Sequence, residues 1–160
     1  MEHAALARAE VVKAFASPGA FATYLRRVSQ AIPAAEHTGL ERAAVIVETE
    51  AKVLIGQEHV DWPALADSTV REKQRLGYTG RISATDPLLR EGALRASYSH
   101  VVDGRRAVVG SDDPVAIYQE TGTVRIPPRP VLSTAAVTKG EEAAKAAGLA
   151  VASVMAGRDR

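Results

Sequence analysis

Tyr98-Ser99-His100-Val101-Val102-Asp103-Gly104-Arg105-Arg106-Ala107-Val108-Val109 is the stretch on which the fold class turns. Tyr98, His100 and Val102 alternate with Ser99 and Val101, the period of two that a strand requires. Asp103-Gly104-Arg105-Arg106 carries a tight-turn signal, and Ala107-Val108-Val109 runs the chain back. Residues 96–111 are therefore expected to form an antiparallel hairpin. The rest of the chain favours helix, so this hairpin makes the predicted class α+β.

Downstream, Gly110-Ser111-Asp112-Asp113-Pro114 ends the strand and caps a helix expected over Val115–Thr121, with Gly122 as its stop. Val124–Ile126 reads as extended, a candidate third strand. Pro127-Pro128-Arg129-Pro130 fixes φ at its three prolines and forms a stiff elbow. Val131–Met155 is alanine-rich and helical, weakened by Gly140 and Gly148.

Upstream, Asp86-Pro87 supplies a cap and a first-turn proline for a short helix ending at Leu94. Residues 76–84 carry Gly77 and Gly80 without an apolar period and read as a loop. Asp67-Ser68-Thr69 offers caps for a short helix over Val70–Arg75, and Trp62, before Pro63, reads as extended and as a lid on the core. The strongest helix is expected over 40–55: Leu40, Ala44, Val47, Ala51 and Leu54 share one face, with Glu48 and Lys52 paired beside it and Gly56 as C-cap. Before it, helices over 4–16 and 20–31 are separated by Ser17-Pro18-Gly19, and Pro33 is expected to end the second. The organisation predicted is an N-terminal helical extension, 1–34, and one α+β domain, 35–160, in which a small antiparallel sheet is packed by the 40–55 helix and the C-terminal helix.

Composition narrows the function. Twenty basic and 19 acidic side chains give a net charge of +1, so no global field draws the chain to nucleic acid or to a membrane. No apolar run approaches the about 20 residues of a membrane span, and the N-terminus lacks the pattern of a secretory signal. Cysteine is absent, which excludes disulfides, thiolate metal sites and cysteine nucleophiles. Aromatics are 4% and the apolar content is largely alanine and valine, which favours a shallow core and burial by association.

No chemistry-bearing constellation emerges. His3, His37, His59 and His100 lack the spacing of metal ligands. His100 falls on a strand face, where a hydrogen-bonded sheet histidine is expected. Glu48 and Glu50 point apart on a helix and read as solvated. Gly77-Tyr78-Thr79-Gly80-Arg81 lacks the ending of a phosphate-binding loop, and serine-nucleophile motifs are missing. The reading is a non-enzyme with no catalytic residue, no metal and no cofactor. Arg71, Lys73, Arg75 and Arg81 around the middle loop, with Arg105 and Arg106 at the hairpin tip, are the candidate DNA contacts. They support an alternative reading as a small DNA-binding or packaging accessory protein. A third reading, an enzyme such as a virion peptidoglycan hydrolase, has no acid pair or metal ligands to carry it.

The order of motifs carries a resemblance. Glu48-x-Glu50-Ala51-Lys52 is followed by Trp62-Pro63-x-Leu65-Ala66-x-Ser68-Thr69, then by Leu88-Leu89-Arg90-Glu91-Gly92-Ala93-Leu94-Arg95-Ala96-Ser97. The hairpin with Val109-Gly110-Ser111 comes next, then Tyr118-x-Glu120-x-Gly122-Thr123 and Ile126-Pro127-Pro128-Arg129-Pro130-Val131-Leu132. Over about 40–136 this resembles the neck, tail-completion and virion-morphogenesis proteins of tailed bacteriophages, with relatives in prophages and gene transfer agents. Val131 departs from the pattern, since a bulky aromatic is usual after the Pro-Arg-Pro.

The resemblance implies a virion structural protein, made in the bacterial host cytoplasm, that forms a hexameric or dodecameric ring at the head-to-tail junction. It implies as partners a head-closure or connector protein, a tail tube or tail terminator protein, and DNA passing through the lumen. By the same likeness, Tyr118, Glu120, Gly122, Thr123, Arg125, Pro127, Pro128, Arg129 and Pro130 are the expected subunit-interface residues. On a rigid arm, Arg125 and Arg129 would suit carboxylates of a neighbour.

Overall fold

A computed structural model describes residues 14–78 and 83–158. Among the described residues seven elements follow one another: α1 (Pro18–Leu54), α2 (Asp67–Arg75), α3 (Ala93–Ser97), β1 (Tyr98–Asp103), β2 (Arg106–Ser111), α4 (Pro114–Thr121) and α5 (Leu132–Met155). Among the described residues the class is α+β: a two-stranded antiparallel sheet packs on the long helix α1, and the C-terminal helix α5 packs on α1 as well.

The first difference from the sequence reading lies at Pro33. It does not end a helix, because α1 runs 37 residues straight through it. Proline removes one N–H and so strands the carbonyl of Ser29. Both residues are exposed, so water can satisfy that carbonyl, while packing of the opposite face on α5 holds the helix together. The backbone accordingly has no break at the 34/35 boundary. Ser17-Pro18 is a start signal: the Ser17 hydroxyl accepts from the Ala20 amide at 3.2 Å and Pro18 occupies the first turn. Of the helix expected over 4–16, residues 4–13 lie outside the described residues and 14–16 are not helical.

α1 and α5 pack antiparallel through small residues. Ala35, Gly39, Ala44 and Ala51 are buried on α1, and Ala135, Ala143 and Ala150 on α5. Gly39 sits so close to Ala147 that an added Cβ would lie 2.6 Å from the Ala147 carbonyl oxygen. At the far end the Tyr24 hydroxyl donates to the Met155 carbonyl. Larger side chains gather at the other end, where Leu54, Ile55, Trp62, Leu89, Leu94, Tyr98 and Val131 form the core. Trp62 is buried there, as its position before Pro63 suggested.

Two further expectations fail locally. The segment after Asp86-Pro87 is a chain of turns, and the helix begins only at Ala93. Leu88 has φ +60, which a right-handed helix cannot accommodate. The Pro87 carbonyl is drawn away to the Gly56 amide, 2.9 Å distant. Val124–Ile126 is not a strand: the amide of Thr123 donates to the Ile126 carbonyl at 2.8 Å, closing a tight turn. In the 76–84 loop, residues 79–82 lie outside the described residues.

The hairpin pairs Tyr98 with Ser111 through to Asp103 with Arg106. Its inner face packs on α1. There His100 places Nε2 3.0 Å from a Glu41 oxygen and Nδ1 against Glu48, which also holds Lys52. Glu48 is thus an anchor for the sheet, not the solvated carboxylate its spacing suggested. Hydrogen bonds that the His100 ring donates to the Glu41 and Glu48 carboxylates raise its pKa, against the opposing effect of burial. Hydrogen bonds from Lys52 and then His100 lower that of Glu48.

These shifts fix a pH dependence. The folded histidine keeps its proton to higher pH than the unfolded chain, so its contribution is full below the ordinary value of 6.5 and is lost as pH rises through the raised one. The Glu48 contribution is full above the ordinary 4.5 and is lost as acid reaches the lowered value. Stability from this cluster should therefore be greatest between the two ordinary values. His100→Gln should remove the decline on the alkaline side, and urea unfolding of both proteins at a series of pH values checks it.

Candidate assembly site

α4 and the proline elbow form a strap tied down at its base and open at its tip. α4 begins where the Asp113 carboxylate accepts from the Val115 amide at 2.8 Å, with Pro114 in the first turn. It ends at Gly122, whose φ of 74 and ψ of 175 suit glycine and where an added Cβ would lie 3.0 Å from the Ile126 carbonyl oxygen and from Pro128. The next residues fold over the Thr123 hydroxyl, which accepts from the amides of Arg125 at 3.2 Å and Ile126 at 3.1 Å.

Two residues tie the base. α5 has no capping side chain of its own, since Val131 occupies its N-cap. The Glu120 carboxylate fills that role from α4. It accepts from the amides of Val131 at 2.7 Å, Leu132 at 3.0 Å and Ser133 at 2.8 Å, and from the Ser133 hydroxyl. Burial pushes the Glu120 carboxyl up, but the Ser133 hydroxyl and the three amides outweigh it and hold the group below its ordinary value. Arg129 is the second tie. Its amide donates to the Gln119 carbonyl at 2.7 Å. Its guanidinium donates to the Pro63 carbonyl at 3.1 and 2.8 Å and to the Ala64 carbonyl at 3.0 Å. Burial lowers its pKa. Beneath the strap lies Tyr98, 1% exposed and with its hydroxyl unpartnered, raised to about 12 by burial and then by the nearby Glu120 and Asp113 charges.

The expected interface residues thus divide. Glu120 and Arg129 are tied inside the chain: Nε and Nη2 of Arg129 donate to two backbone carbonyls, so the bidentate edge expected to meet a neighbour's carboxylate is used internally while the charge itself stays without an ion-pair partner among the described residues. Tyr118, Thr123, Arg125, Pro127 and Pro128 are exposed, whereas Gly122 and Pro130 are half-buried. Val124 projects fully into solvent, and Val115, Ile117 and Ile126 add exposed apolar surface beside it. The sequence reading missed Glu120 as a cap; the signal was a helix start, Val131-Leu132, without a serine, threonine, aspartate or asparagine before it.

The candidate DNA contacts do not form one basic face either. Lys73 turns inward, 2% exposed, and donates to the Asp86 carbonyl at 2.7 Å, so it is corrected as a phosphate contact. Arg75 pairs with Glu72 and Arg105 with Glu36. Arg71 and Arg106 are exposed, and Arg81 lies outside the described residues. Among the described residues, no three or more His, Cys, Asp or Glu side chains are placed to hold a metal ion, and no helix is long and apolar enough to cross a membrane. Comparison with family models, with curated proteins and with solved structures finds no match.

Proposed function

We propose that this chain is a non-catalytic assembly subunit, a ring-forming protein of the head-to-tail junction of a tailed phage or phage-like particle. One observation carries the assembly part: a preorganised strap, fixed at its base by Glu120 and Arg129, that offers Val124, Ile126 and two prolines to solvent. An apolar tip held in one shape loses little entropy on docking, so its contacts convert efficiently into affinity. The junction itself rests on the ordered motifs given above, from Trp62-Pro63 to Pro127-Pro128-Arg129-Pro130. In that reading the chain links a connector protein to the tail, in the virion, around the DNA channel.

Mass photometry of the purified protein, and images of particles assembled with it, test the proposal. Val124→Asp is expected to abolish assembly while leaving the unfolding midpoint unchanged, because the side chain touches nothing within its own fold. Wild-type protein that stays monomeric and never enters particles would overturn it.

A further inference from the structure

A groove of about 870 Å³ runs between residues 64–78 and 86–94 on one side and the strap on the other, whose Arg125, Ile126 and Pro127 form one wall. Its deepest charges are both positive. Lys73 and Arg129 are 2% and 6% exposed, and both donate to backbone carbonyls. Neither meets a carboxylate in an ion pair among the described residues, and burial depresses the pKa of each. The Asp86 charge offsets the burial of Lys73 only in part, and burial alone acts on Arg129, so an incoming carboxylate would reduce the cost of both cations. Arg90 and Arg125 stand exposed on the rim. Asp86, Glu91 and Asp113 also line the groove, but Asp86 accepts from the Ser83 amide and Asp113 from that of Val115. Leu65, Leu88, Leu94 and Ile126 make much of the wall apolar, which suits a peptide better than a phosphodiester.

The same chain carries a segment with the complementary chemistry. Just beyond α1, Glu58-His59-Val60-Asp61 forms a turn closed by the Trp62 amide donating to the His59 carbonyl at 3.0 Å. Val60 is 94% exposed, and the carboxylates of Glu58 and Asp61 flank it in solvent. An apolar knob between two acids matches an apolar groove with cations at its floor and rim.

We infer that this groove receives the Glu58–Asp61 turn of a second copy, in a contact that rests on the assembly reading above. Groove and turn share no residues, so a contact made once between each pair of copies is heterologous and repeats from copy to copy, closing a ring when the rotation allows.

The absence of cysteine makes a clean test. Two single-cysteine proteins, Val60→Cys and Ile126→Cys, are mixed and oxidised, so that only contacts between copies can cross-link. The control replaces Val60→Cys by Val137→Cys, which is also strongly exposed but lies on α5. The expected result is a disulfide-linked heterodimer at least about tenfold above the control, as a raised local concentration at a specific interface requires. Wild-type oligomers by mass photometry with a cross-link no better than the control would overturn the groove contact and leave assembly standing. Monomers throughout, with no specific cross-link, would overturn both.

Discussion

Glu120→Ala should cost about 3 kcal/mol of folding stability, since it strips the N-terminus of α5 of a charged cap that accepts four hydrogen bonds. Three amides at a helix start lose their acceptor together, and the favourable meeting of a carboxylate with the positive end of a 24-residue helix is lost as well. Individual bonds to a charged acceptor are worth about 1.5–3 kcal/mol, but here they share one group and do not add. For a chain of this size the loss corresponds to a fall in Tm of about 8 °C. Glu120→Gln keeps an acceptor oxygen without the charge and should recover part of the deficit. The sign with pH is fixed by the lowered carboxyl: its contribution is complete above the ordinary 4.5 and vanishes as pH falls through the folded value. The gap between wild type and Glu120→Ala should therefore close in acid. Thermal and urea unfolding at neutral and acidic pH measure both effects, and a variant within about 0.5 kcal/mol of wild type would show that α5 does not depend on this cap.

The second large effect concerns a glycine whose helical position argues the other way. In an open helix interior, alanine is favoured over glycine by about 1 kcal/mol. Gly140 and Gly148 of α5 have nothing within 4 Å of an added Cβ, so alanine at either should stabilise by up to that amount. Gly39 of α1 is surrounded by the Ala147 backbone, with the carbonyl oxygen 2.6 Å and Cα 3.0 Å from the added atom. Backbone cannot rotate aside as a side chain can, so the helices must separate along a seam of alanines. Overpacking of this kind costs about 1–3 kcal/mol, which exceeds the propensity gain. Gly39→Ala should therefore destabilise the protein, and Gly39→Val should do so more strongly, since its branched side chain adds volume at the same point. Urea unfolding of the four variants in parallel checks the opposite signs. A Gly39→Ala protein as stable as its Gly148→Ala counterpart would mean that α1 and α5 do not approach this closely.

Much of the local structure was legible. The alternation around His100 and the Asp103-Gly104 turn placed the hairpin, and the helices expected over 40–55 and 131–155 match parts of α1 and α5 to within one residue at Leu54 and Leu132. Where the reading failed, a local signal met a tertiary one. Pro33 reads as a stop, but one lost hydrogen bond on an exposed face is small beside the burial of the opposite face on α5. Leu88-Leu89-Arg90-Glu91 reads as helix, yet the Pro87 carbonyl is taken by the Gly56 amide and Leu88 is turned left-handed. Glu48 read as a surface acid until the hairpin brought His100 against it, 52 residues away.

For the elbow, the sequence alone determined stiffness. Three prolines and a glycine stop fix backbone angles through covalent geometry, which needs no neighbour to act. What the elbow is tied to was decided only by the tertiary structure. Glu120 could have served a partner, and Arg129 a partner's carboxylate; the fold instead placed the uncapped start of α5 beside one and the Pro63 and Ala64 carbonyls beside the other. Side-chain type sets which bonds are possible, but partners distant in sequence meet only when the packing of α1, α4 and α5 has set their positions, and that packing left Val124 and its neighbours in solvent.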